Sequence, residues 1–165
     1  MQRVMVIGCP GSGKSTFSRA LHEATGLPLV YLDRLYWNAD RTAVSRELFL
    51  ERLQVVLAQR AFILDGNYAA TMEQRLRVCD TAFFLDYPAA ICLRGVAERR
   101  GKPRPDMPWI EMPGEEDAAF LRFITDYATV SRPAVLELLN RYADREIIIF
   151  RSREEADAYL RRIRS

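Results

Sequence analysis

The chain has 165 residues, of which 49% are hydrophobic and 28% are charged, and its formal net charge is +2 at pH 7. This balance excludes a disordered chain, and it gives no reason to expect nucleic acid or an anionic membrane as a partner, although nucleic acid is not excluded. The sequence has no apolar run near the roughly 20 residues of a membrane span, no signal-peptide pattern, one histidine and three scattered cysteines, so we expect a cytoplasmic protein without a disulfide framework or a histidine-rich metal site.

Short apolar runs rich in β-branched and aromatic residues predict the strands. Their hydrophobic residues are nearly continuous rather than alternating, which is typical of parallel strands covered on both faces. The predicted strands are Val4–Ile7, Pro28–Leu32, Ala61–Leu64, Thr81–Leu85 and Glu146–Phe150.

Segments with helical periodicity lie between and after these runs. Ser45 is a candidate N-cap, and Pro133 suits the first turn of a helix. The alternation of strands and helices predicts a doubly wound α/β fold in a single domain spanning residues 1–165. The predicted helices are Lys14–Thr25, Ser45–Arg60, Thr71–Val78, Ala89–Arg100, Asp117–Tyr127, Pro133–Tyr142 and Ser152–Ile163.

The run Gly101–Gly114 interrupts this alternation. It contains four prolines and two glycines, which fit neither a helix nor a core strand. We predict a mobile excursion, or lid, at about residues 100–115, with Gly101 and Gly114 as candidate hinges.

The strongest motif runs from Gly8 to Ser15 and satisfies the phosphate-loop pattern G-x-x-x-x-G-K-[ST] between a predicted strand and a predicted helix. Backbone N–H groups and the helix N-terminus favour a bound phosphate, while Lys14 can reach the β- and γ-phosphates and Ser15 can ligate magnesium. A glycine-rich turn without a ligand is the competing interpretation. The residues predicted to bind ATP are Gly8, Pro10, Gly11, Ser12, Gly13, Lys14, Ser15 and Thr16.

Three predicted strands end in an aspartate, and ligands of open α/β sheets bind at the carboxyl ends of the strands. Asp65 could hold Mg²⁺ through water or accept a hydrogen bond from a substrate, or it could serve only an Asp-Gly turn. Asp33 could orient or deprotonate an acceptor hydroxyl, or it could cap a helix or turn. Asp86 could be a second acidic group near the metal, but we favour a helix N-cap.

Several runs resemble known proteins, namely GNYAATMEQRLRVCDTAFFLDYP, RRGKPRPDMP, EMPGEEDAAFLRFI and SRP. They resemble the adenylate-kinase-like P-loop kinases and, more closely, the bacterial topology modulation proteins, over nearly the whole chain. The resemblance implies a three-layer P-loop NTPase core of the nucleoside-monophosphate-kinase kind, with a five-stranded parallel sheet and a small lid. It also implies ATP with Mg²⁺ as donor and phosphoryl transfer as the reaction; the topology label is not taken over as an activity.

One departure from the resemblance bears on the acceptor. Adenylate kinases carry an arginine four residues after the aspartate of their Asp-Gly motif, where it grips the acceptor phosphate, and this chain has Ala69 there. AMP is therefore a doubtful acceptor, although Arg75 could substitute. An acceptor pocket, or else a partly buried aromatic cluster under the helix at Ser45, could be formed by Tyr31, Arg34, Tyr36 and Trp37.

Basic residues cluster around the predicted lid. Arginine forks that close on the transferred phosphoryl group stabilise its charge, and lid closure excludes water. The candidates are Arg94, Arg99 and Arg100, with Arg132 reaching in from a later helix. The alternative is a solvated basic face, including Lys102 and Arg104, balanced by Glu98, Asp106, Glu115, Glu116 and Asp117.

These motifs predict a small-molecule kinase that uses ATP and Mg²⁺, with Lys14, Asp33, Asp65 and the lid arginines as its machinery. Its acceptor could be a nucleotide, a nucleoside or another hydroxyl compound. A nucleotide-dependent regulator or ATPase that acts on DNA topology or on a protein partner is the alternative. The basic C-terminus would favour it, unless those arginines pair with neighbouring acids. A monomer and a homodimer are both compatible with the sequence.

Overall fold

A five-stranded, fully parallel sheet forms the centre of the computed structural model, which describes residues 1–114 and 117–164. The spatial order is β2-β3-β1-β4-β5, so β1 is central and flanked by β3 and β4. The predicted α/β fold with a five-stranded parallel sheet is confirmed. The strands are β1 (Arg3–Gly8), β2 (Leu29–Tyr31), β3 (Phe62–Asp65), β4 (Thr81–Leu85) and β5 (Glu146–Phe150).

Helices connect the strands and cover both faces of the sheet, and all the predicted helices form within about three residues of their predicted bounds. The described helices are α1 (Lys14–Thr25), α2 (Leu32–Tyr36), α3 (Arg46–Leu57), α4 (Ala69–Val78), α5 (Ala89–Arg99), α6 (Ala118–Val130), α7 (Arg132–Arg141) and α8 (Arg153–Arg164).

Local capping signals account for several of these bounds. The Ser45 side chain accepts a 3.1 Å hydrogen bond from the backbone N–H of Leu48 and begins α3, as predicted. Pro133 lies in the first turn of α7. The sequence analysis missed α2, because this single turn continues directly from the apolar run of β2 and is too short to show a helical period.

Burial on both sheet faces explains the continuous apolar runs. The β1 residues Val4–Ile7 and the whole of β4 are buried, whereas the edge strands β2 and β5 are only partly covered. The cysteines Cys9, Cys79 and Cys92 are buried and free, so the core forms without a disulfide. In the part of the chain that is described, no helix is long and apolar enough to cross a membrane.

We use the term lid segment for residues 100–114, which form neither helix nor strand, in agreement with the sequence. Glu115 and Glu116, which the predicted excursion and its balancing acids include, lie outside the described residues. The segment lies against α2: Arg34 Nε donates a 2.8 Å hydrogen bond to the Pro105 carbonyl, and the rings of Trp37 and Trp109 meet at 5.5 Å. The lid segment therefore covers the carboxyl ends of the strands.

Candidate active site

The phosphate loop links the carboxyl end of β1 to the first turn of α1. Gly11 and Gly13 have φ values of 83° and 95°, in the left-handed region that favours glycine. The loop packs directly on α5, because a Cβ at Gly11 would lie 2.0 Å from the Cys92 carbonyl oxygen. Buried Ser12 has a hydroxyl without a hydrogen-bond partner in the described chain, which leaves a polar group available inside the loop.

Lys14 folds back across this loop. Its Nζ donates to the carbonyl oxygens of Gly8 at 2.9 Å and Cys9 at 3.2 Å. Burial lowers the pKa of Lys14, and the negative charges of Asp65 and Asp33 oppose that effect. The ammonium group therefore binds the loop carbonyl oxygens and also interacts electrostatically with Asp33 and Asp65, the two aspartates that the sequence predicts for the site.

Asp65 ends β3 in register with Val6 of β1, which places its carboxylate beside the phosphate loop. Burial raises the pKa of Asp65 to about 6, while Lys14 and a hydrogen bond with the Ser15 hydroxyl act in the opposite direction. Within residues 1–114 and 117–164 no hydrogen-bond partner reaches Asp65 Oδ1. A hydroxyl and a buried carboxylate with a free oxygen are hard oxygen ligands, so Ser15 and Asp65 fit Mg²⁺ that arrives with a nucleotide.

Asp33 lies in the first turn of α2, which directly follows β2. Because β2 is the neighbour of β3 in the sheet, this turn lies close to the end of β3. Its Oδ1 accepts a 2.6 Å hydrogen bond from the Tyr68 hydroxyl. Burial raises the pKa of Asp33, whereas the Tyr68 hydrogen bond and the charge of Lys14 lower it. The structure thus brings Lys14, Asp33 and Asp65 together, although 51 residues separate the first from the last.

The loop after β3 is held by Arg75, whose side chain is fully buried. Its guanidinium group donates to the carbonyl oxygens of Gly66 at 2.9 Å, Tyr68 at 3.3 Å and Asn67. The Asn67 side chain in turn accepts a 3.0 Å hydrogen bond from the backbone N–H of Gly8. Arg75 therefore supports the backbone beneath the site and does not supply the acceptor contact that the sequence left open for it.

Two arginines and two acids pair at the lid segment, where Arg99 is the last residue of α5 and Arg104, Asp106 and Glu111 belong to the segment itself. Arg99 makes a forked ion pair with Glu111, at 2.9 and 3.1 Å, and Arg104 lies 3.3 Å from Asp106 and 3.5 Å from Glu111. Asp106 is only 4% exposed, and its charge adds to the rise in pKa of Asp33 and Asp65. The sequence suggests only that Asp106 balances the charge of nearby basic residues, because no local pattern indicates that this residue is buried.

The other predicted lid arginines lie elsewhere in this structure. Arg94 is exposed on α5, and neither Arg94 nor Arg100 lines the described part of the cavity over the phosphate loop. Arg132 forms a fork with the Asp86 carboxylate, at 2.8 to 3.0 Å, and Arg151 also binds that carboxylate.

The predicted helix-cap role of Asp86 is wrong. The N-cap position of α5 is Pro88, and no side chain caps it. The Asp86 side chain is 5% exposed, so its charge must be paired inside the protein, and the two arginines do this.

A cavity of about 580 Å³ opens above the phosphate loop, within the range of small-molecule binding pockets. Phe17 and Ala20 of α1 line one wall, and Ala156, Asp157 and Leu160 of α8 lie among the other lining residues. The contribution of α8 was not foreseen, because its polar composition gave no signal of a ligand site. The phosphate-loop lining residues include Gly11, Ser12, Gly13, Lys14, Ser15 and Thr16.

An aromatic cluster lies on the Asp33 side of the site. Tyr36 contacts Phe49 of α3 at 5.5 Å and Tyr68 at 5.2 Å, while Trp37 contacts Trp109 of the lid segment. Tyr36 thus packs against α3, as one alternative predicted. Trp37, by contrast, lies at the contact between α2 and the lid segment.

Of the comparisons with known proteins, the one with solved structures agrees with this architecture. No family model matches the sequence, and no curated protein matches it. A shikimate kinase structure from Bacteroides thetaiotaomicron is similar, with a TM-score of 0.61, 20% identity and coverage of 98% of this chain and 96% of that one. A shikimate kinase from Acinetobacter baumannii, solved with shikimate, has a TM-score of 0.63 and 17% identity, covering 99% and 90% of the two chains. The chain therefore has the P-loop, nucleoside-monophosphate-kinase-like fold.

Proposed function

We propose that this chain is an ATP-dependent kinase that transfers the γ-phosphoryl group of ATP to a hydroxyl of a small-molecule acceptor. The observation that carries the proposal is the convergence of Lys14, Asp33 and Asp65 near two arginines, one at the end of α5 and one in the lid segment. A phosphate-binding cation, a metal-binding carboxylate and a carboxylate for the acceptor are the groups that phosphoryl transfer needs.

The phosphate loop binds the donor in this proposal. Its backbone N–H groups and the N-terminus of α1 face the phosphates, and Lys14 leaves the Gly8 and Cys9 carbonyl oxygens to bind them. Ser15 and Asp65 would hold Mg²⁺, which when bound neutralises phosphate charge. The nucleoside part of ATP occupies the cavity between α1, α8 and the lid segment.

Asp33 acts on the acceptor. The acceptor hydroxyl oxygen attacks the γ-phosphorus, its proton passes to the Asp33 carboxylate, the bond to the bridging oxygen breaks, and ADP leaves. Tyr68 positions Asp33 through its 2.6 Å hydrogen bond. Because the barrier in such reactions is lowered mainly by positioning and electrostatics, no covalent enzyme intermediate is required.

The remaining positive charge comes from the end of α5 and from the lid segment. Arg99 and Arg104 lie over the phosphate loop and line the cavity, so they contact the transferred group once they exchange Glu111 and Asp106 for phosphate oxygens. Arg94, Arg100 and Arg132 stay predictions, and each would have to move to reach the cavity.

We also propose that the chain is a single domain and that it belongs with the topology modulation proteins, on the strength of its RGKPRPDM run.

The regulator hypothesis gains no support from the basic C-terminus. Arg151 binds Asp86, Arg164 lies 3.2 Å from Glu23, and the Arg162 guanidinium stacks 5.2 Å from the Tyr159 ring. These three side chains are engaged within the protein, so they give no separate reason to expect DNA.

The test is the release of ADP from Mg-ATP, with and without a panel of nucleosides, nucleoside monophosphates, sugars and shikimate-like alcohols. We expect one acceptor class to stimulate release and Lys14→Ala to abolish it. Arg60→Ala is the matched control. It removes an exposed cation just before β3 begins, at the end of the sheet that lies away from the phosphate loop. Release that is equal in the Lys14 variant, or that no acceptor stimulates, would refute the proposal.

A further inference from the structure

Asp106 has an unusual position for a lid residue. The lid segment is mostly exposed, yet Asp106 and its neighbour Met107 are buried against the site. Asp106 lines the cavity with the phosphate loop, and its charge reaches both Asp33 and Asp65. The carbonyl oxygen of the preceding residue, Pro105, accepts a 2.8 Å hydrogen bond from Arg34, the neighbour of Asp33. This contact places Asp106, a third carboxylate, on the Asp33 side of the site.

The arginines at this end of the sheet bind protein oxygens. A phosphate or carboxylate on an acceptor would need one of these guanidinium groups to give up its present partner. The contacts are Arg34 to the Pro105 carbonyl at 2.8 Å, Arg52 to the Leu35 carbonyl at 2.9 Å, Arg75 to the loop after β3, and Arg104 to Asp106 and Glu111.

Aromatic rings supply the other surface at this end. Tyr36, Trp37 and Tyr68 surround the approach to Asp33, and Trp109 of the lid segment meets Trp37 edge to face. All four rings are only partly buried. Flat apolar faces beside hydrogen-bonding carboxylates suit a ring that carries hydroxyl groups better than an anionic group.

From this arrangement we infer that the acceptor is a ring-bearing hydroxyl compound without phosphate or carboxylate, such as a sugar or nucleoside, and that Asp106 excludes anionic acceptors. The inference rests on the proposed kinase function and narrows it. Its physical basis is electrostatic competition, since Asp106 already holds Arg104 at 3.3 Å. An anionic acceptor would have to take Arg104 from that partner while it approaches the carboxylates, and this disfavours the anion even where its shape fits.

The experiment compares related acceptors, of which one member of each pair carries an anionic group and the other does not. The pairs are cytidine with CMP, glucose with glucuronate, and methyl shikimate with shikimate, each tested for ADP release from Mg-ATP. We expect the neutral member of at least one pair to exceed its anionic partner by roughly tenfold or more in kcat/KM. In Asp106→Asn this ratio should fall several-fold, whereas Asp126→Asn, which changes an exposed carboxylate of α6, should leave the ratio as it is.

Binding gives a readout that does not depend on turnover. The chain has two tryptophans, Trp37 and Trp109, and both lie at the contact of the lid segment with α2. Their fluorescence, titrated with each pair in the presence of a non-hydrolysable ATP analogue, reports acceptor binding.

The outcomes separate the two proposals. Turnover or binding that is as strong with the anionic members overturns the inference and leaves the kinase proposal standing. Fluorescence changes with neutral members only, without Lys14-dependent ADP release, support the charge selectivity and refute the kinase proposal. If no neutral member of any pair binds or reacts, the inference is wrong.

Discussion

The Tyr68 hydroxyl donates a 2.6 Å hydrogen bond to Asp33 Oδ1, joining the loop after β3 to the first turn of α2. Tyr68 does this from a left-handed backbone conformation with φ of 40°, which is uncommon for a residue with a side chain. Arg75 binds the Tyr68 carbonyl oxygen and so helps to hold that conformation. Residues outside the phosphate loop therefore determine where the proposed base lies.

Replacing Tyr68 with phenylalanine should weaken the acceptor step. The hydrogen bond lowers the pKa of Asp33 against the effect of burial, so its loss should raise that pKa and leave less of the carboxylate ionised at acid pH. We expect kcat/KM to fall roughly tenfold below neutral pH, with the acid limb of the profile moved to higher pH. The measurement is the pH profile of acceptor-stimulated ADP release.

Tyr142→Phe is the control for that experiment. It removes a hydroxyl that binds Glu73 and Arg77, outside the proposed site, and should leave the pH profile in place. An unchanged profile in the Tyr68 variant would show that this hydroxyl does not act on Asp33.

Arg75 should matter for stability. Arg75→Met would leave the buried carbonyl oxygens of the loop after β3 without their donor, and we expect the free energy of unfolding to drop by about 2–4 kcal/mol. Chemical denaturation measures this. Arg77→Ala, on the exposed face of the same helix, should lower the free energy of unfolding far less, because its ion pair with Glu73 is exposed to solvent. Equal losses in the two variants would contradict the buried role of Arg75.

Asp65 should destabilise the ligand-free protein as pH rises. Because its pKa is raised from 3.8 to about 6, its stabilising contribution is complete below about pH 3.8 and is lost as pH rises through about 6. The difference in unfolding free energy between Asp65→Asn and the wild type should therefore grow in favour of the variant, by about 3 kcal/mol between pH 4 and pH 7. Denaturant titrations across this range test it, and a pH-independent difference would rule it out.

Replacing Gly95 with alanine should disturb the phosphate loop. A Cβ at this position would lie 2.1 Å from the Gly11 carbonyl oxygen, so it would push the phosphate loop away from α5. Although alanine normally favours a helix, we expect Gly95→Ala to weaken ATP binding at least roughly tenfold and to lower stability. Calorimetric titration with Mg-ATP measures the affinity.

The exposed residue Ala97 of the same helix provides the comparison. Ala97→Gly should cost about 1 kcal/mol of stability and leave ATP affinity near the wild-type value. Normal ATP affinity in Gly95→Ala would show that the loop does not depend on this close packing.

The sequence alone predicted those parts of the fold and of the candidate site that depend on residues close together in the chain. The glycine spacing between Gly8 and Lys14, the continuous apolar runs and the aspartates at strand ends depend on neighbouring residues, and they predicted the parallel sheet, the phosphate loop and the edge where Asp33 and Asp65 meet. Parallel strands bring their carboxyl ends to one edge, so this part of the site follows from the strand assignments alone.

Only the tertiary structure decided how the charged side chains pair. Asp86 binds Arg132, which is 46 residues away, Arg75 turns inward to three carbonyl oxygens, and Asp106 is buried over the phosphate loop. A charge taken out of water needs a partner, and the nearest partner depends on how loops and helices pack, which no local pattern records. The sequence of this chain therefore predicts where phosphate would bind, whereas the fold decides how its arginines pair and which charge would face a proposed acceptor.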